Sequence, residues 1–318
     1  MDRSEDELLE AVRRVLSGAG PEVRVGPGDD AAVLAQGSGE LVVTTDVLVE
    51  GVHFELRLSA ARDLGYKSIV VNVSDVAAMA ASPRAAVVAL TLSEAVDAAW
   101  TMELLGGMRA ACDEYALWLV GGDLSRGPAI SIAVTVTGEV APGRAVLRSG
   151  AKPGDRLVVT GALGASAAGL RIARSGRVGG DEDRALLRAH FRPVARVGEA
   201  QVLARYGATA MMDVSDGLAL DLSRLCRASG VGVRLRIADV PVAKGATLAE
   251  ALGGGEDYEL LASMPDSDAA TGARKELAGT FGATLTDVAE VTEAGLVAVE
   301  ADGAEHRLDP TGWDHFGG

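Results

Sequence analysis

Ser68–Arg84 reads SIVVNVSDVAAMAASPR, and the way this stretch folds decides where the acidic residues of the chain stand. Ile69, Val70, Val71 and Val73 place four β-branched apolar residues in five positions, which predicts a strand buried on both faces that stops at Asp75. The alanines that follow predict a helix closed by Pro83. Asp75 is therefore expected at the carboxyl end of a strand, where open α/β folds collect their ligands. The same grammar recurs elsewhere: LVVTTD ends at Asp46, LWLVGGD at Asp123, TAMMDVSD carries Asp213 and Asp216, and the glycine-rich GPGDD carries Asp30.

One acid at a strand–helix junction is explained by capping of the next helix. The set asks for more. None of the six acids has a Lys or Arg within three positions except Asp123, and carboxylates gathered without cations repel unless positive charge lies between them. Hard oxygen ligands of this kind suit Mg²⁺ shared with substrate phosphates.

A chain of 318 residues is long enough for about two domains with sizeable cores. Apolar residues make up 48% and aromatics only 3%, so those cores are expected to be built from Val, Ala and Leu. The formal charge is −15, a field that repels nucleic acid and anionic membranes and so excludes both as expected partners. It would repel a nucleotide too, unless bound cations reverse its sign locally. The opening MDRSEDELLEAVRRVL reads as an amphipathic helix rather than a signal peptide, and no apolar run approaches a membrane span. Cys112 and Cys226 are far apart in helical contexts, which argues against a disulfide framework or a thiolate zinc site. A cytoplasmic location is expected.

The rest of the chain reads as an alternation of strands and helices. VRVGPGDDAAVL predicts two short strands around a Gly-Pro-Gly turn, and His53 follows the strand that carries Asp46. AAVVALTLS predicts a strand, and Ala95–Tyr115 a helix facing inward through Leu104, Met108 and Ala111. AISIAVTVTGEV alternates like a half-buried antiparallel strand. Residues 141–156, rich in Pro and Gly and carrying Arg144, Arg148, Lys152 and Arg156, predict a linker between a domain of 1–140 and one of 157–318. In the second half, LVVTGALGASAAGLRIA predicts strand, turn and helix, and the absence of any Gly-Lys pair excludes a Walker A loop. An exposed loop is expected over 174–184 and a helix over 194–206. A further helix carries a stripe of Leu218, Leu222 and Leu225 and stops at Gly230, and GGGEDYELL sets Glu256 and Asp257 in a turn before a strand.

Taken in order, GPGDDAAVL, TTDVLVEGVHF, YKSIVVNVSDVAAMAASP, GGDLSRGP, LRSGAKPGD, MDVSDGLALDL, GGEDYELL and GWDHF resemble the thiamine-monophosphate kinases, a branch of the superfamily that includes aminoimidazole ribonucleotide synthetase and selenophosphate synthetase. The resemblance implies an α/β (α+β) protein of two domains. The N-terminal domain would contribute a mixed sheet to a barrel shared by a homodimer, and the C-terminal domain would be α/β. It implies direct transfer of the γ-phosphoryl of ATP to thiamine monophosphate, with no covalent nucleophile. Position by position, Asp30, Thr44, Thr45, Asp46, Asp75, Asp123, Asp213 and Asp216 match ligands of several Mg²⁺ ions, and a monovalent cation is a further candidate. Gly122 with Asp123, Arg148 and Ser215 match ATP contacts, while His53, Glu256 and Trp313 match substrate-binding positions.

Several Mg²⁺ ions could relieve the repulsion of a triphosphate brought against a phosphate monoester. A carboxylate and an aromatic face suit the cationic thiamine. A selenophosphate synthetase would need a reactive Cys before Cys112, and the hydrogenase-maturation relative carries a C-terminal Cys, which this HFGG end lacks. Aminoimidazole ribonucleotide synthesis and a non-catalytic cation- or nucleotide-binding regulator remain the alternatives.

Overall fold

The structure, a computed structural model, describes residues 22–25, 32–35 and 37–313. The amphipathic segment expected at 1–16, the GPGDD turn with Asp30 and the HFGG end lie outside these residues. The chain divides into two compact units: residues up to 76 with 81–143, and residues 77–80 with everything from 144 onward.

In the first unit, β1 (Val23–Val25) and β2 (Val33–Leu34) pair antiparallel. They are followed by β3 (Glu40–Val49), α1 (Ala61–Ala78), β4 (Ser82–Leu92), α2 (Ala98–Glu114), β5 (Trp118–Arg126) and β6 (Ser131–Val140). The last four strands make a mixed sheet in the order β3-β6-β4-β5, with only β4 and β5 parallel. Strand β6 is the interior strand whose alternation is visible in AISIAVTVTGEV, buried at every second residue.

The stretch Ser68–Arg84 does not fold as expected. Ile69, Val70, Val71 and Val73 lie inside helix α1, and Pro83 belongs to β4, where the register slips between Pro83 and Ala85. The physical reason is burial on all sides. From Leu64 to Ser74 every residue of α1 is buried, so the helix shows no polar face, and an unbroken apolar run cannot by itself distinguish a buried helix from a buried strand. Two of its polar side chains bond back to the helix, Ser68 Oγ donating to the Gly65 carbonyl at 2.8 Å and Asn72 Nδ2 to that of Ser68 at 3.1 Å, while Asn72 Oδ1 is buried without a partner among the described residues. Two glycines let α1 and α2 touch through their backbones. A Cβ on Gly65 would overlap the Leu104 carbonyl, and one on Gly107 the Arg62 carbonyl.

The second unit runs β7 (Arg156–Thr160), α3 (Ala165–Ser175), α4 (Asp181–Phe191), α5 (Val197–Arg205), β8 (Ala210–Val214), α6 (Leu218–Ser229) and β9 (Gly232–Arg236). It continues with α7 (Leu248–Gly253), β10 (Glu259–Met264), α8 (Ser267–Phe281), β11 (Leu285–Thr292), β12 (Leu296–Val299) and β13 (Glu305–Arg307). Its sheet has the order β13-β12-β9-β11-β7-β10-β8 and is antiparallel except between β9 and β12. Leu218, Leu222 and Leu225 are buried, as their spacing predicts, and Gly230 ends α6 in the left-handed conformation.

Two expectations change here. The loop expected over 174–184 gives way to α4 from Asp181, whose Asp181, Glu182 and Asp183 suit the positive end of a helix. The stretch expected as a linker contributes Val146 and Ala151 to buried clusters of this unit. No helix of the described residues is long and apolar enough to cross a membrane.

Candidate functional site

In the first unit, Asp75 stands in the last turn of α1 rather than at a strand end. Thr44 Oγ1 of β3 donates to Asp75 Oδ2 at 2.6 Å, and Asp46, two residues along the strand, shares the face of Thr44. Thr45 faces the other way, donating to the Val134 carbonyl and accepting from Thr135 Oγ1, both at 3.0 Å. Asp123 accepts from Ser125 Oγ at 3.0 Å within β5. The register Asp46–Val134–Val88–Gly122 crosses the whole sheet, so Asp46 and Asp123 occupy opposite edges, about 14 Å apart measured along it. The structure does not bring these two together.

Asp46, Asp75, Asp123 and Asp213 therefore lie within strands or a closing helical turn, and none precedes a helix it could cap. The side-chain caps made by acids belong to Asp97 and Asp266. Gly122 has a structural reason of its own, since a Cβ there would overlap the Val88 carbonyl oxygen. His53 Nδ1 accepts the Val49 N–H at 3.0 Å, which assigns the ring proton to Nε2 and makes that nitrogen a neutral donor.

In the second unit, the backbone gathers four of the sequence-predicted residues. The Ser215 carbonyl accepts from Glu256 N at 2.7 Å and the Asp216 carbonyl from Trp313 N at 2.9 Å. Asp213 lies buried in β8 opposite Leu260. Asp216 is not free of cations as its sequence neighbourhood suggests, because α6 carries Arg224 onto it in an ion pair. Arg224 also donates to Asp221 Oδ1 at 2.8 Å, while Asp221 Oδ2 accepts from Ser215 N at 3.1 Å and Asp216 N at 2.9 Å. Burial pushes the Asp221 carboxyl up to about 6, against the main-chain donor and Arg224. Arg148 is exposed, and its carbonyl accepts from Ser229 Oγ at 3.2 Å.

Asp221 and Arg224, missed in the sequence, were legible as an i, i+3 pair on the first turns of α6. Among the described residues no three His, Cys, Asp or Glu side chains form a ready metal cage. A cavity of about 730 Å³ in the first unit, bordered by Glu50, Leu92, Ser93 and Arg126, includes none of the predicted site residues.

A second cluster surrounds the turn 256–258. Asp257 Oδ2 accepts from Gly164 N at 2.6 Å and Oδ1 from Ser166 N at 3.1 Å, at the start of α3. Burial pushes its carboxyl up to about 7 despite these donors. The folded state thus favours the neutral form, a contribution fully present below about pH 4 and lost as pH rises to about 7. Relative to Asp257→Asn, the parent protein is expected to lose roughly 2–4 kcal/mol across that window. Urea unfolding at pH 4, 5.5 and 7 checks this, and parallel profiles would refute it.

Residues 28–140 match the family described as AIR synthase related protein, N-terminal domain, and residues 152–302 its C-terminal domain. The thiamine-monophosphate kinase of Salmonella typhimurium is 39% identical over 308 residues, 93% of each chain. Among solved structures, the thiamine-monophosphate kinase from Stenotrophomonas maltophilia K279a superimposes with a TM-score of 0.83 at 33% identity, covering 95% of this chain and 98% of that one. AaThiL complexed with AMPPCP and TMP does so with a TM-score of 0.77 at 33% identity, covering 98% and 97%.

Proposed function

From the premise that the chain belongs to the thiamine-monophosphate kinases of the AIR synthase related family, we infer that it transfers a phosphoryl group from ATP to thiamine monophosphate, giving thiamine diphosphate in thiamine biosynthesis. The observation that carries this is similarity along nearly the whole chain to enzymes of that activity, one of them captured with AMPPCP and TMP.

The residues present fit Mg²⁺. Asp46, Thr44 and Asp75 offer hard oxygens on neighbouring elements, and the lack of a complete protein cage among the described residues suits ions that take further ligands from phosphates. We assign Asp30, Thr44, Asp46, Asp75, Asp123, Asp213 and Asp216 to this role, Asp216 only once Arg224 yields it, and leave out the Thr45 side chain, which faces away from Thr44 and Asp46. When bound, such ions neutralise the charge of phosphates brought into line for transfer. The exposed Arg148, Gly122 and Ser215 are assigned to ATP, with Arg148 stabilising phosphate charge. His53 Nε2–H serves as a neutral donor to the acceptor phosphate. Glu256 and the half-exposed Trp313 face the cationic thiamine. Two buried free thiols, Cys112 and Cys226, accord with a cytoplasmic location.

We also assign a homodimer, as the resemblance implies. Strand β6 has both edges paired and needs no partner. It is β3 that lies at an edge, with Leu41 72%, Val43 57% and Val47 45% exposed, an apolar row that a second copy would cover. Sedimentation at micromolar concentration is expected to give twice the chain mass; the mass of one chain would refute the assignment. Incubation with ATP, Mg²⁺ and thiamine monophosphate, followed by detection of thiamine diphosphate, tests the function itself. Turnover of ATP without thiamine monophosphate, or no turnover, would overturn it.

A further inference from the structure

His190 lies in the last turn of α4 and is buried. Its Nδ1 stands 2.9 Å from Ser166 Oγ and 3.4 Å from Glu256 Oε2. An ionised carboxylate only accepts, so in the tautomer with its proton on Nδ1 the ring presents that N–H to the hydroxyl and the carboxylate together. The close approach depends on Gly169 of α3, where a Cβ would overlap the Leu186 carbonyl and crowd His190 Cβ at 3.0 Å.

The turn that His190 touches is held at every residue. Glu256 and Tyr258 both adopt left-handed backbone, at φ 69 and 53, a conformation that costs a non-glycine residue about 1–3 kcal/mol and persists only where the surroundings impose it. Glu256 N is tied to the Ser215 carbonyl, Tyr258 N to that of Val214, and Asp257 to the start of α3. These bonds fix the main chain and the middle side chain. The His190 contact restrains the Glu256 carboxylate, which lies at the end of a long side chain. We propose that His190 is a positioning residue that holds the Glu256 carboxylate ready for the cationic part of thiamine monophosphate. This rests on the assignment of Glu256 to substrate.

A carboxylate held less firmly must be ordered further at the moment of binding. His190→Leu is therefore expected to raise KM for thiamine monophosphate roughly two- to tenfold, with kcat and KM for ATP little changed. His190→Asn puts an amide donor near the Nδ1 position and is expected to restore most of the affinity. Leu at the same position cannot donate. If the Leu variant does not fold, His190→Gln takes its place, because its longer amide reaches past Nδ1. Glu256→Gln separates the two assignments. If it leaves KM for thiamine monophosphate unchanged, the assignment of Glu256 fails. If it raises that KM while the Leu, Gln and Asn variants at 190 all behave like the parent, or all lose affinity equally, the role of His190 fails. In the double variant, His190→Leu is expected to add nothing to Glu256→Gln, and an additive loss would overturn the coupling.

Discussion

Asp75→Asn is expected to lower turnover at least about a hundredfold while leaving the protein folded. The substitution is close to isosteric, and Asn keeps an oxygen that can accept the Thr44 hydroxyl now bonded to Asp75 at 2.6 Å. What it removes is charge. Asp75 is in the last turn of α1, where the helix dipole is negative and the turn itself carries no basic residue. An acid there costs about 0.3–1 kcal/mol, so the Asn protein without metal is expected to melt at the same temperature or a little higher. A site assembled from carboxylates and phosphates depends on that charge, and extra Mg²⁺ is expected to restore only part of the activity. Turnover measured against Mg²⁺ concentration, with melting curves in its presence and absence, checks both halves. Near-normal turnover in a folded Asn variant would remove the metal assignment of the first unit.

The same residue shows how far the sequence reaches. The helix from Ala98, the interior strand β6 and the leucine stripe of α6 were legible because each has one wet face, and a wet face leaves a period in the sequence. Helix α1 has none, and its β-branched core reads equally well as a strand. The candidate acids were still found, since identity and spacing survive a wrong assignment of the element that carries them. Their surroundings were not. Arg224 reaches Asp216 from a turn of α6, and Asp257 reaches Gly164 and Ser166 across more than ninety residues. His190 meets Glu256 only because Gly169 lets two helices close up. Such contacts belong to packing, which a single chain does not write down locally.

The largest loss of stability is expected from Arg196→Met. Arg196 grips Glu259 with two bonds, Nε to Oε2 at 2.8 Å and Nη2 to Oε1 at 2.5 Å, and its Nη1 reaches Glu199 at 3.2 Å. Burial works against its charge, yet the bonds to the two glutamates more than offset that and raise its pKa. Glu259 is buried and has one further partner, Thr160 Oγ1, at 2.7 Å. Methionine fills much of the volume but leaves the carboxylate uncompensated, a situation that costs about 3–5 kcal/mol. Glu259 stands just beyond the strained turn 256–258, and a Cβ on Gly161 would overlap its carboxylate. Unfolding is therefore expected to begin behind the proposed substrate loop, and activity to fall at temperatures below the global transition. Because the harm comes from the orphaned charge rather than from a lost attraction, Arg196→Met combined with Glu259→Gln should recover a good part of the loss. Urea unfolding of the two single variants and the double at pH 7 closes the cycle. A loss below about 1 kcal/mol in Arg196→Met, or strictly additive losses in the double variant, would show that this buried pair does not hold the second unit together.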